Sequence, residues 1–325
     1  MVNMANARTD EVIDGLMLGR FQNPEDFIVQ RLFPKVLVDR DTDKYSIMNG
    51  DHLRDDDDVL DLMGAANEIE WDYDTPGSYQ IGSYGFIQAI PGKQLRNMSQ
   101  AIRRGHRTRA ARINTDKLLT NRERRGALQA FSTTVMSGYT TALTSDYQVD
   151  NKSSDLITML GDYIYTVKNR IGKRPNFIAM GGVVWDKGIA NHPDFEAKLP
   201  DGTVKAATPQ RFVEIMAQHR IKGLDLIIGD ASYNSAAKGA TASWSDIWGE
   251  YILIGYNDPS AVTEDDLTFS KMFVNRSKDG VKSKFWNAGN NADPDSEYLR
   301  TETDYQCKVV YPQAGHLLSN VLGLV

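Results

Sequence analysis

The strongest helix-forming pattern in the chain covers residues 116–136, and its apolar positions do not form one stripe. With successive residues turned by about 100°, one side of this helix carries four apolar residues: Ala127, Leu128, Phe131 and Val135. Leu118 and Leu119 point elsewhere, so we expect the two ends of the helix to pack against different apolar partners. The spacing of Thr120 and Glu123 matches a capping box, which predicts that part of the run starts at Thr120.

Residues 145–256 alternate between helical and strand patterns. A helix is predicted over residues 155–170, capped by Ser153 or Ser154 and ended by Gly172. Its apolar stripe consists of Leu156, Leu160, Ile164, Val167 and Ile171. Alternation of helices and strands predicts a compact α/β or α+β unit.

Other elements have clear local signals. Thr208 followed by Pro209 is an N-cap and N1 pair, which opens a helix through residue 220. A shorter helix is predicted over residues 182–191. Strands are predicted over residues 36–38, 45–48, 177–180, 224–228, 247–256, 267–274 and 298–311. A polar loop, residues 275–297, joins the last two strands.

Residues 49–92 contain no pattern for a helix of the usual length. Apolar and polar residues alternate on both sides of residues 75–78, whose Pro and Gly are a turn signal, so we expect a β-hairpin. The segment has little apolar mass of its own, and ordering it alone would cost conformational entropy without a core beneath it. We therefore expect it to lie on another surface, that of a neighbouring subunit.

Two blocks of opposite charge lie next to each other in the sequence. Residues 39–74 contain thirteen Asp and Glu against three basic residues, and residues 93–125 contain eleven Lys and Arg against two acidic residues. The blocks carry local charges of −10 and +9, which nearly cancel within the overall charge of −6. This arrangement predicts that the two blocks meet, either by folding onto each other within one chain or between identical copies of the chain, and we favour the second interpretation.

Composition excludes several classes of protein. With 25% charged and 41% apolar residues, the chain is typical of a folded protein of one large or two modest domains. Cys307 is the single cysteine, so we expect no intrachain disulfide framework and a reducing compartment. Arg8, Asp10 and Glu11 lie where a signal peptide would need an apolar core, and no run of about 18 apolar residues occurs. We expect a protein that is neither secreted by the common route nor membrane-spanning.

The motifs that mark common enzyme sites are missing. The sequence contains no GxSxG, GxxxxGK[ST], GxGxxG or HExxH, and its histidines are scattered: His52, His106, His192, His219 and His316. Gly181 and Gly182 at a strand-to-helix junction could cradle a phosphate, but a tight turn is the better interpretation. Cys307 alternates with Tyr and Val in a strand, which favours a packed thiol over a nucleophile. We expect no catalytic residue and no cofactor.

Acidic residues suggest metal binding at two places, and both suggestions are weak. The run DRDTDK begins like an EF-hand loop with Asp39, Asp41 and Asp43, but Lys44 and Gly50 stand where that loop needs Gly and Glu. A charged turn is the better interpretation. Four consecutive carboxylates could collect a divalent cation: Asp55, Asp56, Asp57 and Asp58. A solvated loop or an electrostatic contact between subunits is favoured for them, and we expect no metal site.

The basic block contains a cluster of arginines that could grip nucleic acid or an acidic protein surface. Its members are Arg103, Arg104, Arg107, Arg109 and Arg112. No aromatic residue interleaves them, and the acidic block offers them a partner, so a protein–protein contact is preferred. The candidate contact between subunits pairs these arginines with the four carboxylates at positions 55–58.

The order of elements resembles that of the major capsid proteins of tailed bacteriophages, which share the HK97-like fold. The residues that carry the resemblance are, in chain order, FIVQRLFPKVLVDRDTDKYSI, YGFIQAIP, TDKLLTNRERRGALQAF, RPNFIAMGGVVWDKGIANHPDF, DIWGEYILIGY and YQCKVVYPQAGHLLSNVL. The resemblance covers nearly the whole chain but contains no invariant signature. It implies an α+β HK97-like capsid fold with an N-arm, an extended β E-loop, a P-domain with a long spine helix, and a compact A-domain.

The parts of that family map onto this chain in order. The implied division is residues 1–26 for the N-terminal arm, 27–44 where the chain enters the P-domain, 45–91 for the E-loop, 92–144 for the P-domain with its spine helix, 145–256 for the A-domain, 257–311 for the P-domain strands and 312–325 for the C-terminal segment. In that family the E-loop overlies the P-domain of the next subunit, which agrees with the paired charge blocks.

The resemblance implies a structural major capsid protein, not an enzyme, that self-assembles into an icosahedral shell packaging phage double-stranded DNA. The implied partners are further copies in hexamers and pentamers, portal and scaffolding proteins, an optional decoration protein, and DNA contacted non-specifically, with no membrane. The implied location is the virion capsid, assembled in the host bacterial cytoplasm. Two alternatives stay open: an encapsulin-type compartment enclosing a cargo enzyme, and a soluble enzyme with a pocket in residues 145–256.

The chain departs from the prototype of that family at the E-loop. There, a covalent crosslink uses an E-loop lysine, whereas residues 45–92 contain no lysine and only one cation, Arg54. A protonated guanidinium is a poor nucleophile. We expect shells held together without covalent crosslinks, which release the chain as a single monomer band in denaturant. If covalent oligomers were seen instead, Lys44 and Lys93 would be the first candidates for the crosslinked residue.

Overall fold

The computed structural model describes residues 27–48, 73–198, 204–218, 223–258, 267–287 and 296–323. Its helices are α1 (Val29–Leu32), α2 (Gly92–Arg96), α3 (Gln100–Ala130), α4 (Leu156–Ile171), α5 (Gly182–Lys187) and α6 (Pro209–Ala217). Its first strands are β1 (Lys35–Val38), β2 (Thr42–Met48), β3 (Tyr73–Gln80), β4 (Gly82–Ile90), β5 (Thr140–Ala142), β6 (Phe177–Gly181), β7 (Ala197–Lys198) and β8 (Val204–Lys205). The remaining strands are β9 (Asp225–Gly229), β10 (Ser232–Asn234), β11 (Trp244–Asp246), β12 (Ile252–Gly255), β13 (Ser270–Asn275), β14 (Lys282–Asn287), β15 (Glu297–Val309) and β16 (Gly315–Ser319).

The first sheet is built around β15, the longest strand. Its order is β1-β13-β15-β14, with β4 also paired to β15, and only the β1–β13 pair is parallel. Side chains along β15 alternate between buried and half-buried, as the sequence predicts for a strand with one covered face. The buried side of β15 includes Leu299, Tyr305 and Cys307, and α3 lies against it.

The second sheet has the order β5-β16-β12-β6-β9 and is covered on both faces. Every residue of its inner strands β6 and β12 is buried, which explains their continuous apolar sequences. Ile178 and Ile254 face the core formed with α4, whereas Ala179 and Leu253 face a core shared with α3 and the first sheet. One apolar core therefore joins the two sheets.

The prediction for α3 was wrong at both ends. The helix begins at Gln100 and ends at Ala130, with the Ser99 hydroxyl accepting a hydrogen bond from the Ile102 amide at 3.5 Å. Thr120 does not start a helix, since its hydroxyl donates to the Asp116 carbonyl within the helix. Arginines have high helix propensity but form no apolar stripe, so apolar periodicity does not indicate the first four turns.

The stripe predicted on α3 is only partly correct. Ala127 and Phe131 are buried and Val135 packs against the same core, but Leu128 is 69% exposed. The prediction that the two ends have different partners is confirmed, because Leu119 packs with Phe285 and Leu299 of the first sheet, whereas Ala127 lies in the core that joins the sheets.

The hairpin predicted at residues 75–78 is wrong, because these residues lie inside β3. Strand β3 pairs antiparallel with β2, and β4 then continues into the first sheet. The rings of Tyr45 and Tyr79 stack on Phe273 of β13, with centroid distances of 5.8 and 4.4 Å. The described part of the acidic segment is therefore anchored on its own chain, while residues 49–72 lie outside the described residues.

Two smaller predictions are corrected by local structure. Asp155, not Ser153 or Ser154, caps α4, and its carboxylate accepts from the Thr158 amide at 3.0 Å. Gly172 ends α4 with a positive φ of 70°, as predicted. The polar loop 275–297 contains strand β14, whose Phe285 packs against the buried side of the sheet.

The remaining helix predictions agree with the structure in type. The Thr208 hydroxyl caps α6 as predicted, and α6 ends at Ala217. Helix α5 is followed by a 3-10 turn, so the predicted helix over residues 182–191 is two short pieces. No helix among the described residues is long and apolar enough to cross a membrane.

Candidate functional site

The candidate arginines lie on the first half of α3. Residues 100–109 bury no side chain, and the buried positions of α3 begin at Ala110. Arg104, Arg109 and Arg112 are exposed, whereas Arg103 and Arg107 are half-buried. The exposed side of this half of the helix is therefore strongly basic.

Arg107 already has a partner in its own chain. Its guanidinium contacts the carboxylate of Glu297 on β15 through two nitrogens, at 3.0 and 2.7 Å, and lies 5.8 Å from the ring centroid of Phe285. Glu297 is buried, so the ion pair fixes the first half of α3 to the sheet. Arg107 therefore orients the basic surface.

An open hollow of about 780 Å³ lies beside these arginines. It is lined by Met98, Gln100, Ala101, Arg103, Arg104 and Arg107. The Nε of Arg103 is buried and has no hydrogen-bond partner among the described residues. A buried cationic donor without an acceptor is unfavourable, so this hollow is suited to receive an acidic group. The candidate carboxylates Asp55, Asp56, Asp57 and Asp58 lie outside the described residues.

The second half of α3 holds a buried acid, Glu123, whose spacing from Thr120 wrongly predicted a capping residue. Its carboxylate accepts hydrogen bonds from the amides of Ile28 and Val29, at 2.8 and 3.1 Å, and from the Trp248 indole at 2.7 Å. Burial raises the pKa of Glu123, and the three donors oppose that change. One side chain thus ties α3 to α1 and to the loop before β12.

Glycine makes this junction possible at two points. A side chain at Gly126 would collide with Val29, and one at Gly229 would collide with the Trp248 ring. Gly126 weakens the helix locally but allows α1 to approach α3 closely. The sequence shows the glycine, but the neighbour that requires it is distant in the chain.

Ser154, His192 and Asp194 superficially resemble a hydrolytic triad. The Ser154 hydroxyl lies 3.3 Å from Nε2 of His192, and Nδ1 of His192 lies 3.5 Å from the Asp194 carboxylate. However, Nδ1 accepts the Asp194 amide at 3.3 Å, and Nε2 lies 3.2 Å from the Asn151 carbonyl. Nε2 must then carry the proton and cannot act as the base for serine. The group holds the start of α4 in place.

Neither of two other titratable groups is poised for catalysis. Burial raises the pKa of Cys307 to about 12, so its thiol stays protonated, in agreement with the predicted packed thiol. Burial and the neighbouring Arg170 lower the pKa of His316 to about 4. The His316 ring contacts Arg170 at 2.7 Å and the Thr141 hydroxyl at 2.9 Å. His316 therefore acts as a neutral packing residue at neutral pH.

The other weak motifs have structural partners. In the DRDTDK turn, Asp41 accepts from Asn275 at 2.7 Å and from Lys278 at 3.2 Å, as expected for a charged turn. A side chain at Gly182 would collide with the Asp230 carboxylate, which disfavours a phosphate at that turn. Among the described residues, no three His, Cys, Asp or Glu side chains are grouped to hold a metal ion.

The fold matches solved structures along most of their length. A phage-related protein from Bordetella bronchiseptica RB50 superposes with a TM-score of 0.72 over 98% of this chain and 99% of its own, at 16% identity. The protein has the HK97-like capsid fold. A virus-like particle from Pyrococcus furiosus matches with a TM-score of 0.57, 11% identity and coverage of 95% and 98%.

The HK97-like fold also relates the chain to a cyanophage capsid. The capsid structure of cyanophage P-SCSP1u gives a TM-score of 0.54 at 10% identity, covering 90% of this chain and 88% of that one. No family model and no curated protein sequence matches the chain. The likeness is one of fold, and it confirms the fold that the sequence resemblance implies.

Proposed function

We propose that this chain is the major capsid protein of a tailed bacteriophage, which self-assembles into an icosahedral shell around double-stranded DNA. The observation that carries the proposal is the HK97-like fold over nearly the whole chain, shared with capsid and virus-like-particle structures. The chemistry of the described residues agrees with a structural role, since the triad-like group has the wrong tautomer and the cysteine is protonated.

In this proposal residues 1–26 form the N-arm, 45–91 the E-loop and 145–256 the A-domain. The P-domain consists of residues 27–44, 92–144 and 257–311, and α3 is its spine. The C-terminal segment is residues 312–325. Hexamers and pentamers of the chain would associate with portal and scaffolding proteins. DNA would be contacted non-specifically, and the shell would assemble in the bacterial cytoplasm and remain as the virion capsid.

We further propose that the acidic run of one copy contacts the basic surface of α3 in the next. The four carboxylates Asp55, Asp56, Asp57 and Asp58 would approach Arg103, Arg104, Arg109 and Arg112. The hollow beside Arg103 supports this pairing, because its buried guanidinium nitrogen has no acceptor among the described residues. Exposed charge pairs are individually weak, but a shell repeats each one many times.

Microscopy of the purified chain tests the shell. Negative staining should show uniform polyhedral particles or rings of five and six, and particles from infected or co-expressing cells should contain DNA. A cargo protein in place of DNA would indicate an encapsulin-type compartment. A chain that stays monomeric at high concentration would refute the proposed function.

Charge substitution tests the contact between copies. The double variant Arg109→Gln with Arg112→Gln should lower shell yield. The loss should be greatest at low salt, because high salt screens the charges and weakens the same contact in the parent. The matched control is Lys152→Gln with Lys187→Gln, which removes two exposed charges elsewhere and should assemble like the parent. Equal yields for both pairs across a salt series would refute the contact without affecting the shell proposal.

A further inference from the structure

A hollow of about 330 Å³ lies where the end of α3 meets the β10–β11 hairpin. Its lining includes Arg124, Leu128, Phe131, Tyr233, Asp246 and Tyr251. Leu128 is a large apolar residue that is 69% exposed, although its helix neighbours Ala127 and Ala130 are buried. Together with the lining residues Phe131, Tyr233 and Tyr251, Leu128 forms a contiguous apolar surface, and exposed apolar patches mark interaction sites.

The floor of this hollow is rigid. Phe131 packs edge-on against Trp248 with a centroid distance of 5.2 Å and lies 5.5 Å from the Tyr251 ring. Trp248 is fully buried and is held by its hydrogen bond to Glu123. The hollow therefore keeps its shape without an occupant, which lowers the entropic cost of binding.

One wall of the hollow carries a cation that can accept a further aromatic ring. The Arg124 guanidinium lies 4.2 Å from the ring centroid of Tyr233. Its other face is available to a second ring, since Arg124 is exposed. Indole is the aromatic ring that binds cations best. Asp246, another exposed lining residue, carries an acceptor of the kind that an indole N–H requires.

The same hairpin presents an indole. Trp244 on β11 is 70% exposed, whereas the other described tryptophans, Trp185, Trp248 and Trp286, are buried. The hairpin is ordered by polar contacts: the Asn234 side chain accepts the amides of Ala236 and Ser243, both at 3.0 Å. Trp244 is thus held outward on a fixed strand.

The loop of the hairpin, residues 235–243, carries one cation and no acid. Lys238 is the only cation in residues 232–246, and it lies in the exposed loop between β10 and β11. Two acids lie at the hollow: Asp246 is an exposed lining residue, and half-buried Glu250 is next to the lining residue Tyr251. A hairpin from another copy would bring its Lys238 towards these acids as its indole enters.

We propose that Trp244 of one copy occupies the hollow formed by Arg124, Leu128, Phe131 and Tyr251 of a second copy. The contact is heterologous, since each copy donates its hairpin to one neighbour and receives the hairpin of another. It rests on the proposed self-assembly and assigns to it a specific contact, which is separate from the acidic-run contact at the other end of α3.

Cysteine pairing tests the geometry. After oxidation of the folded protein and blocking of the free thiols, Trp244→Cys and Leu128→Cys should each run as a monomer in a non-reducing denaturing gel, because the native Cys307 is buried in the folded chain. Mixed and assembled together, the two variants should form a disulfide dimer between unlike subunits. Disulfide dimers from either variant alone, or shells of the mixture without any disulfide, would overturn the proposal.

Removal of the ring tests its contribution. Trp244→Ala should raise the concentration needed for assembly by about tenfold, as expected for the loss of a buried aromatic anchor. Tyr165→Ala is the matched control, since Tyr165 is also an exposed aromatic residue, at 54%. Unchanged assembly of Trp244→Ala would overturn this inference and leave the shell proposal intact. Absence of any oligomer in the parent would overturn both.

Discussion

Residues 100–109 at the start of α3 bury no side chain, whereas its last five turns bury one side of the helix along their whole length. The first part is held by the ion pair between Arg107 and Glu297, and the last part by apolar packing and the hydrogen bonds of Glu123. The last five turns therefore anchor α3 in the core, and residues 100–109 form an extension of the helix beyond it. The extension can present charge to a partner because it contributes little to the core.

This comparison predicts that stability changes should fall sharply from the end of α3 to its start. The largest loss is expected for Phe131→Ala, which removes a buried ring packed on Trp248 and should lower the free energy of unfolding by about 3–5 kcal/mol. Urea denaturation of the unassembled chain measures it. A loss below about 1 kcal/mol would show that the ring is not part of the core.

Glu123→Gln should be the next most destabilising change, by about 1–3 kcal/mol, because an amide cannot accept all three donors and leaves one of them buried and unpaired. The variant also tests the direction of the pKa change. Since the pKa of Glu123 is raised in the folded chain, its ionisation makes parent stability decline as the pH rises from about 4.3 through the folded value.

Glutamine does not ionise, so the variant lacks that decline. The difference in the free energy of unfolding between parent and variant should therefore be largest at acidic pH and should narrow as the pH rises. Urea midpoints measured at a series of pH values check this. A gap that widens with pH would mean that the three donors lower the pKa of Glu123 below its usual value.

Arg107→Gln should lower the free energy of unfolding by about 1–2 kcal/mol, because it leaves the buried Glu297 carboxylate without its partner. The loss is limited because Arg107 is partly exposed and solvent screens the pair. Arg109→Gln is the control, since Arg109 is exposed one half-turn later and should change the unfolding midpoint very little. Hydrogen exchange should also speed up in residues 100–109 of the Arg107 variant alone. Equal effects of the two substitutions would contradict the anchoring role of Arg107.

Leu128→Ala should have the smallest effect, within about 0.5 kcal/mol in the unassembled chain, because the side chain is exposed. Leu128 and Phe131 lie on the same predicted stripe, so this pair of variants tests which of them the core contains. A loss comparable to that of Phe131→Ala would place Leu128 in the core of the chain.

Sequence periodicity alone predicted helix α4 and strand β15. All five stripe residues of α4 are buried, and Gly172 ends the helix in the left-handed conformation. Each of these elements has one covered face and local stop signals, so residues that are close together in the sequence indicate which positions are buried. The same patterns left an α/β or α+β unit open for residues 145–256, and the order of elements led to the α+β HK97-like fold.

Only the tertiary structure decided the limits of α3, the burial of Glu123, the exposure of Leu128 and the existence of β14. Each depends on contacts between residues far apart in sequence: Glu123 with Val29 and Trp248, and Phe285 of β14 with Leu299. Local patterns give the period of a helix or strand, but they do not specify which side meets a partner. That choice is made by packing, because burial is favourable only where distant surfaces fit together.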